Sequence, residues 1–292
     1  MREVRVGLVY SRIRVEEKLI VAELARHRSV RVVTVADDLI QASLAGPQLD
    51  SAEITALRGC QVVLGRSLSH VRQLTVARLL EAWRVPSINS ATVLEVCGDK
   101  MRTTLALAGA NVPTPPTRVA FTVAAGLAAV EDLGYPWVVK PNTGSWGRLL
   151  ARVNDRDAAE AVLEHKALLG GSLHRVLYLQ QYVDKPGRDI RAFVIGGSTV
   201  AAIGRRSEHW VTNTARGAVA EAVPVSAELD QLCRRAAVAV GGGNLAIDLL
   251  EAPDGLLVNE VNATMEFRNS VAPTGIDIPG LLVADALRWA AS

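Results

Sequence analysis

The sequence predicts an α/β unit at the front of the chain and an α+β unit behind it. Three observations predict this. β-Branched runs alternate with helically spaced segments over residues 1–90, paired apolar runs flank glycine turns in the last third, and no internal repeat or low-complexity tract interrupts either pattern. Strands alternating with helices build a small parallel sheet with right-handed crossovers, whereas runs joined by short turns build antiparallel hairpins.

Val4–Tyr10 is an apolar run, Val15–Arg28 has helical spacing, and Val30–Ala36 is a second β-branched run. Gln61–Gly65 reads as a short strand and Val71–Trp83 as an amphipathic helix, after which Pro86 breaks the pattern. Ser90 is placed to cap a helix through Cys97, Lys100 and Leu107 that ends at Gly109. Pro115-Pro116 cannot lie inside a helix, so residues 112–116 form a stiff connector. Beyond it come a helix near Val123–Leu133, a strand at Trp137–Lys140, a glycine-bearing loop at Asn142–Arg148 and a strand at Leu149–Val153. A helix at Asp155–Leu168 and a strand at Val176–Val183 follow. Ile190–Ile195 and Thr199–Arg205 flank the turn Gly196-Gly197-Ser198. Leu245–Leu250 and Leu256–Val261 flank Pro253-Asp254-Gly255, where proline presets φ and glycine takes the left-handed position. Helices at Ala227–Val240 and Pro279–Ala290 complete the pattern. The expected units are residues 1–90, 91–180 and 181–292.

Composition narrows the function. The chain has 292 residues, 49% hydrophobic and 21% charged, with a formal charge of +2. That balance lacks the basic excess of a nucleic-acid binder and the polarity of a disordered chain. No apolar run reaches the ~18 residues of a membrane span, and Met1–Tyr10 reads as a strand rather than a signal peptide, so a cytoplasmic protein is expected. Cys60, Cys97 and Cys233 lack metal or disulfide spacing, and the five histidines form no ligand pair. Lysine is scarce: Lys18, Lys100, Lys140, Lys166 and Lys185 stand in a chain whose other cations are arginines. A lysine at a motif position therefore carries more weight here.

The strongest site signal is Asp248, Glu260 and Asn262. A three-residue loop at Pro253–Gly255 places Asp248 opposite Glu260, and Glu260 and Asn262 share a strand face. Carboxylate and amide oxygens converging on apolar strands suit Mg²⁺ and its phosphate ligands; the alternative is a polar outer face. Between two strands, Asn142–Arg148 offers backbone N–H groups, Ser145 and Arg148 to an anion, though it matches neither a P-loop nor a dinucleotide fingerprint. Gly241-Gly242-Gly243 fails that fingerprint too, because it follows a helix. Lys140 ends an apolar strand directly before the glycine loop, and Arg188, Arg191, Arg205, Arg206 and Arg216 cluster in the last third. Guanidiniums can hold phosphates and steady an acyl-phosphate transition state. No nucleophile elbow or paired glycosidase carboxylates appear.

Together these residues resemble the ATP-grasp carboxylate–amine ligases, and within them the RimK-like branch. The matching stretches, in order, are Cys97-Gly98-Asp99-Lys100, Val138-Val139-Lys140-Pro141 and Gly144-Ser145-Trp146-Gly147-Arg148. Gln180-Gln181-Tyr182-Val183, Gly187-Arg188-Asp189-Ile190-Arg191, and Asp248 with Asn259-Glu260-Val261-Asn262 follow. Asn213-Thr214-Ala215-Arg216-Gly217 and Asn262-Ala263-Thr264-Met265-Glu266-Phe267 are most similar to ligases that attach 2-aminoadipate to a small acidic amino-group carrier protein in lysine biosynthesis.

The resemblance implies an ATP-grasp fold behind a small parallel-sheet (pre-ATP-grasp) domain, with ATP and Mg²⁺ as cofactors. It implies that Lys100 and Lys140 contact phosphates while Gly144, Ser145, Trp146, Gly147 and Arg148 close over them. Gln180, Gln181, Tyr182 and Val183 would meet adenine, largely through main chain, with Asp189 toward the ribose. Asp248, Glu260 and Asn262 would hold Mg²⁺, and Arg191, Arg206 and Asn213 would face the acyl phosphate. Thr214, Ala215, Thr264, Met265, Glu266 and Phe267, beside Asn262, would shape the amino-acid pocket. Gln181 stands where relatives often carry an acidic residue, and Ala263 is small beside the substrate loop. A homodimer or tetramer is implied as well. The same scaffold would serve glutamate in arginine synthesis, a specialised amino acid, or glutamylation of a protein C-terminus. A nucleotide-binding protein without turnover is the rival from another class; the intact metal trio, lysines and arginines speak against it.

Overall fold

The computed structural model of the chain describes residues 3–44, 50–144, 148–212 and 217–291. Its first sheet is built from β1 (Val4–Tyr10), α1 (Val15–Ala25), β2 (Val30–Ala36), α2 (Ala52–Arg58), β3 (Val62–Arg66), α3 (His70–Ala82) and β4 (Ser87–Ile88). The strands run parallel in the order β2-β1-β3-β4. β1 and β2 span the expected residues, because β-branched side chains pack well on both faces of a parallel sheet. α1 stops at Ala25, three residues short of the expected end, as the chain turns back toward β2.

Next come α4 (Ala91–Cys97), α5 (Lys100–Gly109), β5 (Thr117–Ala120), α6 (Val123–Glu131), β6 (Trp137–Lys140), β7 (Ala151–Val153), α7 (Arg156–Leu169) and β8 (Leu177–Gln181). Ser90 caps α4 as expected, but the single helix expected from it is two. Gly98 is a poor helix former, and Asp99 instead caps a new helix by accepting from Arg102 N–H at 2.9 Å. The break makes Lys100 the first residue of α5. The second sheet is antiparallel, in the order β5-β8-β6-β7. Trp137, Val139, Leu177 and Leu179 face α6 and α7 in one core. The alternate residues Val138, Lys140, Tyr178 and Gln180 share the other face.

The third sheet comprises β9 (Arg188–Ile195), β10 (Ser198–Arg206), β11 (Val219–Ala222), β12 (Leu245–Ala252) and β13 (Gly255–Asn262), with α8 (Ala227–Ala239) preceding β12. α9 (Arg268–Thr274) and α10 (Ile278–Ala291) end the chain. The order is β11-β10-β9-β12-β13, antiparallel throughout. α8 covers one face through Leu229, Leu232, Cys233 and Ala236, packed on Ile190, Ala192, Ile247 and Val261. The opposite face is divided. Phe193, Ile195, Ala201 and Ile203 join Val6 and Leu8 of the first sheet and Leu282 and Val283 of α10 in a shared core. At its other end that face carries Asp189, Arg191, Arg205 and Asp248. Among the described residues, no single helix is long and apolar enough to cross a membrane.

Candidate active site

The polar end of the third sheet faces the polar side of the second across a cleft of about 460 Å³, to which the first sheet also contributes. Lys140 enters it from β6. Its Nζ donates to Gln180 Oε1 at 2.5 Å and Asn259 Oδ1 at 2.9 Å, both neutral. Burial pulls its pKa down to about 8, against the pull of Glu260. A buried ammonium without a carboxylate partner in direct contact is matched to an incoming anion. Lys100 Nζ donates to Gly144 O at 2.7 Å and lies 3.4 Å from Glu260 Oε1. Asn142 ties the loop to this point: its carbonyl accepts from Lys100 N–H and its Oδ1 from Met101 N–H.

Asp248 holds the centre of the sheet. Arg191 grips it bidentately at 2.7 and 2.8 Å, and Arg205 Nη2 lies 3.2 Å from Oδ2. Burial raises the Asp248 carboxyl, but the two guanidiniums outweigh it and hold the pKa at about 2. Arg205 also binds both oxygens of Asp189, at 2.6 and 2.8 Å. Asp189 is thus engaged in orienting Arg205, where the resemblance implied a ribose contact. Lys185, 3.8 Å from Asp189, donates to Thr212 Oγ1 at 2.6 Å.

The expected pairing of Asp248 with Glu260 is present by a different route. The hairpin turn has two residues, with Ala252 opposite Gly255, which is one position out of the expected register. A bulge at Asn259 restores it, since Leu249 pairs with Val258 and Asp248 with Glu260. The extra residue places Asn259 and Glu260 in the cleft together while Val258 and Val261 both stay in the α8 core. Asn262 follows on the cleft side with a buried Nδ2 that has no partner among the described residues. Two facing carboxylates and an amide form a hard-oxygen donor set, which fits Mg²⁺. Both Asp248 oxygens also face guanidiniums, so a cation there shares them with Arg191 and Arg205.

The other end of the cleft is apolar and aromatic. Tyr182 and Trp210 meet edge to face at 6.4 Å, and Val138, Leu150, Val183 and Leu250 complete the wall. The N–H groups of Gln181 and Tyr182 donate to Pro116 O and Pro136 O, whereas the N–H of Val183 has no main-chain acceptor among the described residues. On the side of the first sheet, the loop after β1 brings in Arg14, the loop after β3 Ser67, and the first turn of α3 His70 and Gln73. Arg14 Nη1 reaches Glu266 Oε1 at 2.7 Å, and Gln73 Oε1 accepts from Thr264 Oγ1 at 3.1 Å. Behind them, fully buried Glu17 joins Arg14 to Arg66, which donates to Met265 O.

Three expected residues stand elsewhere. Arg206 is exposed and pairs with Glu221 at 3.3 Å on the far face of β10; strand alternation gives the cleft position to Arg205. Met265 and Phe267 are packed in the shared core, since their large apolar side chains are satisfied there. Gly144 lines the cleft and Arg148 is exposed. Ser145, Trp146, Gly147, Asn213, Thr214 and Ala215 lie outside the described residues. Sequence reasoning missed Arg14, His70, Gln73 and Trp210, gave Lys185 and Asn259 no role of their own, and from the arginine cluster chose Arg206 where the strand presents Arg205. Lys185 was open to the argument from scarce lysine, and Ser67–His70 to the rule that ligands bind beyond the carboxyl ends of parallel strands.

Family models agree with this geometry. The model of the LysX pre-ATP-grasp domain matches residues 6–96, and that of the RimK-like ATP-grasp domain matches residues 97–285. The chain belongs to the RimK-like ATP-grasp family. This RimK-like chain is 37% identical to the α-aminoadipate–LysW ligase LysX of Saccharolobus solfataricus, over 82% of its own length and 88% of that protein. It is 33% identical to the glutamate–LysW ligase ArgX of Sulfurisphaera tokodaii, over 96% of each chain. The crystal structure of a RimK-domain ATP-grasp protein from Sphaerobacter thermophilus superposes with a TM-score of 0.79 at 30% identity, covering 97% of this chain and 100% of that one. The expected ATP-grasp fold with a pre-ATP-grasp front holds, and ATP-grasp ligases use ATP with Mg²⁺.

Proposed function

We propose that the chain joins the α-amino group of 2-aminoadipate to the side-chain carboxylate of a C-terminal glutamate on a small acidic, LysW-like carrier protein, in lysine biosynthesis. The observation that carries this reading is that the likeness to α-aminoadipate–LysW ligases runs through both the front and the back of the chain. ATP phosphorylates the carrier carboxylate, and the amine then displaces phosphate from the acyl phosphate. Phosphate leaves far more readily than oxide, so the chain's task is to position reactants, stabilise charge and exclude water.

In this reading Lys140, Lys100 and Lys185 hold phosphates, and Tyr182, Val183 and Trp210 enclose the base. Asp248, Glu260 and Asn262 hold Mg²⁺, which neutralises phosphate charge. Arg191 and Arg205 face the reacting phosphoryl group, Gly144–Arg148 closes as a lid, and residues 213–216 with Thr264 and Glu266 receive the amino acid. The units 1–90, 91–180 and 181–292, a cytoplasmic location and a homodimer or tetramer belong to the same reading. Glutamate is the second reading for the amine, favoured by the ArgX likeness. The test is hydroxylamine trapping: with carrier, ATP and Mg²⁺ but no amino acid, the carrier gains a hydroxamate at its C-terminal glutamate. No hydroxamate, with ATP bound, contradicts the acyl-phosphate route.

A further inference from the structure

Asn89 directly follows β4 of the first sheet, is 4% exposed, and spends its side-chain amide on the third sheet. Its Nδ2 donates to Asn244 O at 2.8 Å and to Ala263 O at 2.7 Å, and its Oδ1 accepts from Asn244 N–H at 2.7 Å. Asn244 immediately precedes β12 and Ala263 immediately follows β13, whose last paired residues are Ala246 and Asn262. Where that ladder ends, one side-chain amide joins the two chains with both of its N–H donors in use. The bond to Ala263 O falls one residue beyond Asn262. The Asn262 side chain reaches the cleft with its Nδ2 buried and unpartnered among the described residues, so its backbone aims the amide. Thr264, Met265 and Glu266 have holds of their own, on Gln73, Arg66 and Arg14. Asn89 is therefore the hold at the junction with Asn262.

We propose that Asn89 is a positioning residue for the metal site: it sets the Ala263 carbonyl and, through it, the direction of the Asn262 amide. The inference rests on the reading of Asn262 as a Mg²⁺ ligand. Groups that orient metal ligands from behind carry about 10- to 100-fold in metal affinity. The first sheet thereby takes part in a metal site to which it supplies none of the proposed ligands.

The test is calorimetric titration of a non-hydrolysable ATP analogue into the full-length protein, with Mg²⁺ and with EDTA in its place. Binding of Mg²⁺ to free nucleotide is common to every variant, so a change in the ratio of the two affinities reports how the protein holds the ion. Asn89→Ala is expected to lower that ratio about 10-fold, with the metal-free affinity unchanged. In an Asn262→Ala background the same substitution should change nothing, because a residue acting through Asn262 is not additive with it. Asn244→Ala is the control for destabilisation. Asn244 is equally buried, and its side chain leads away from the site to Gly196 N–H and Asp285. Its urea midpoint should fall while the ratio stays at the wild-type value. A wild-type ratio in folded Asn89→Ala, an equal loss in both backgrounds, or an equal loss in Asn244→Ala overturns the inference. Should Asn89→Ala not fold, Asn89→Ser, whose hydroxyl stops one bond short of the asparagine nitrogen, is held to the same comparisons. The two readings fail separately. A wild-type ratio in Asn262→Ala removes the metal assignment, whereas loss there without loss in Asn89→Ala removes the positioning role alone.

Discussion

Lys140 Nζ lies 2.9 Å from Asn259 Oδ1, which joins the last residue of one sheet's central strand to the bulge in another's edge hairpin. Lys140 and the bulge that aims Glu260 into the cleft are therefore set by one contact. Lys140→Met is expected to weaken ATP binding about 10- to 100-fold, because a charged contact is lost. The Lys140 pKa of about 8 adds a pH signature. Phosphate binding favours the ammonium, so ATP affinity should fall as pH rises above about 8, with proton uptake seen by calorimetry in buffers of different ionisation enthalpy. Uptake should vanish in Lys140→Met.

Asp248 and Glu260 should separate stability from activity. Asp248→Ala strands the charges of Arg191 and Arg205 and is expected to cost about 3–5 kcal/mol. Glu260 is 29% exposed and only 3.4 Å-paired to Lys100, so Glu260→Ala should cost less than about 1 kcal/mol. Both should abolish ligation. The depressed Asp248 pKa gives stability that is full above about pH 4 and lost as pH falls toward 2. Urea midpoints of the two variants, and of wild type from pH 5 to 2, check this.

The alternation of β10 predicts opposite behaviour for neighbours. Arg206→Ala should leave ligation near wild type and stability within about 0.5 kcal/mol, as for other exposed pairs. Arg205→Ala uncovers Asp189 and Asp248 and should lose turnover together with about 3–5 kcal/mol. Equal loss in both would contradict the facing assigned to this strand.

Gly243 is expected to tolerate no side chain. Its φ is +95°, and a Cβ would lie 2.2 Å from Asn89 Oδ1. Asn89 cannot move aside, because its amide donates to Asn244 O and Ala263 O while Oδ1 accepts from Asn244 N–H. Gly243→Ala should cost about 2–4 kcal/mol by thermal or urea unfolding, from backbone strain and the displaced amide. The glycine run that matched no nucleotide fingerprint thus has a structural reason tied to the segment following Asn262.

Local patterns made much of this fold legible. β1, β2 and β6 have the expected bounds because their β-branched and apolar runs are unambiguous at strand length. Two-residue β4, edge strands β5 and β11, and short α2 give too little periodicity to read, and α9 is seven residues long and contains Pro273, a poor helix former. At the site, residues within one strand could be assigned a common face. The Asp248–Glu260 pairing was reached through a turn one residue too long, compensated by a bulge that no local signal marks. Arg14 and Glu266 are 252 positions apart, and strand or helix periods say nothing about partners at that distance. Met265 and Phe267 could not be told from cleft residues without knowing that α10 and the first sheet close over them.

The central claim is ligation, and intact mass of a carrier protein ending in glutamate tests it most directly. After incubation with the enzyme, ATP, Mg²⁺ and 2-aminoadipate, the account predicts a gain of one 2-aminoadipate less one water, absent without ATP. An unchanged carrier mass across a panel of acidic amino acids, from enzyme that binds ATP, would contradict it.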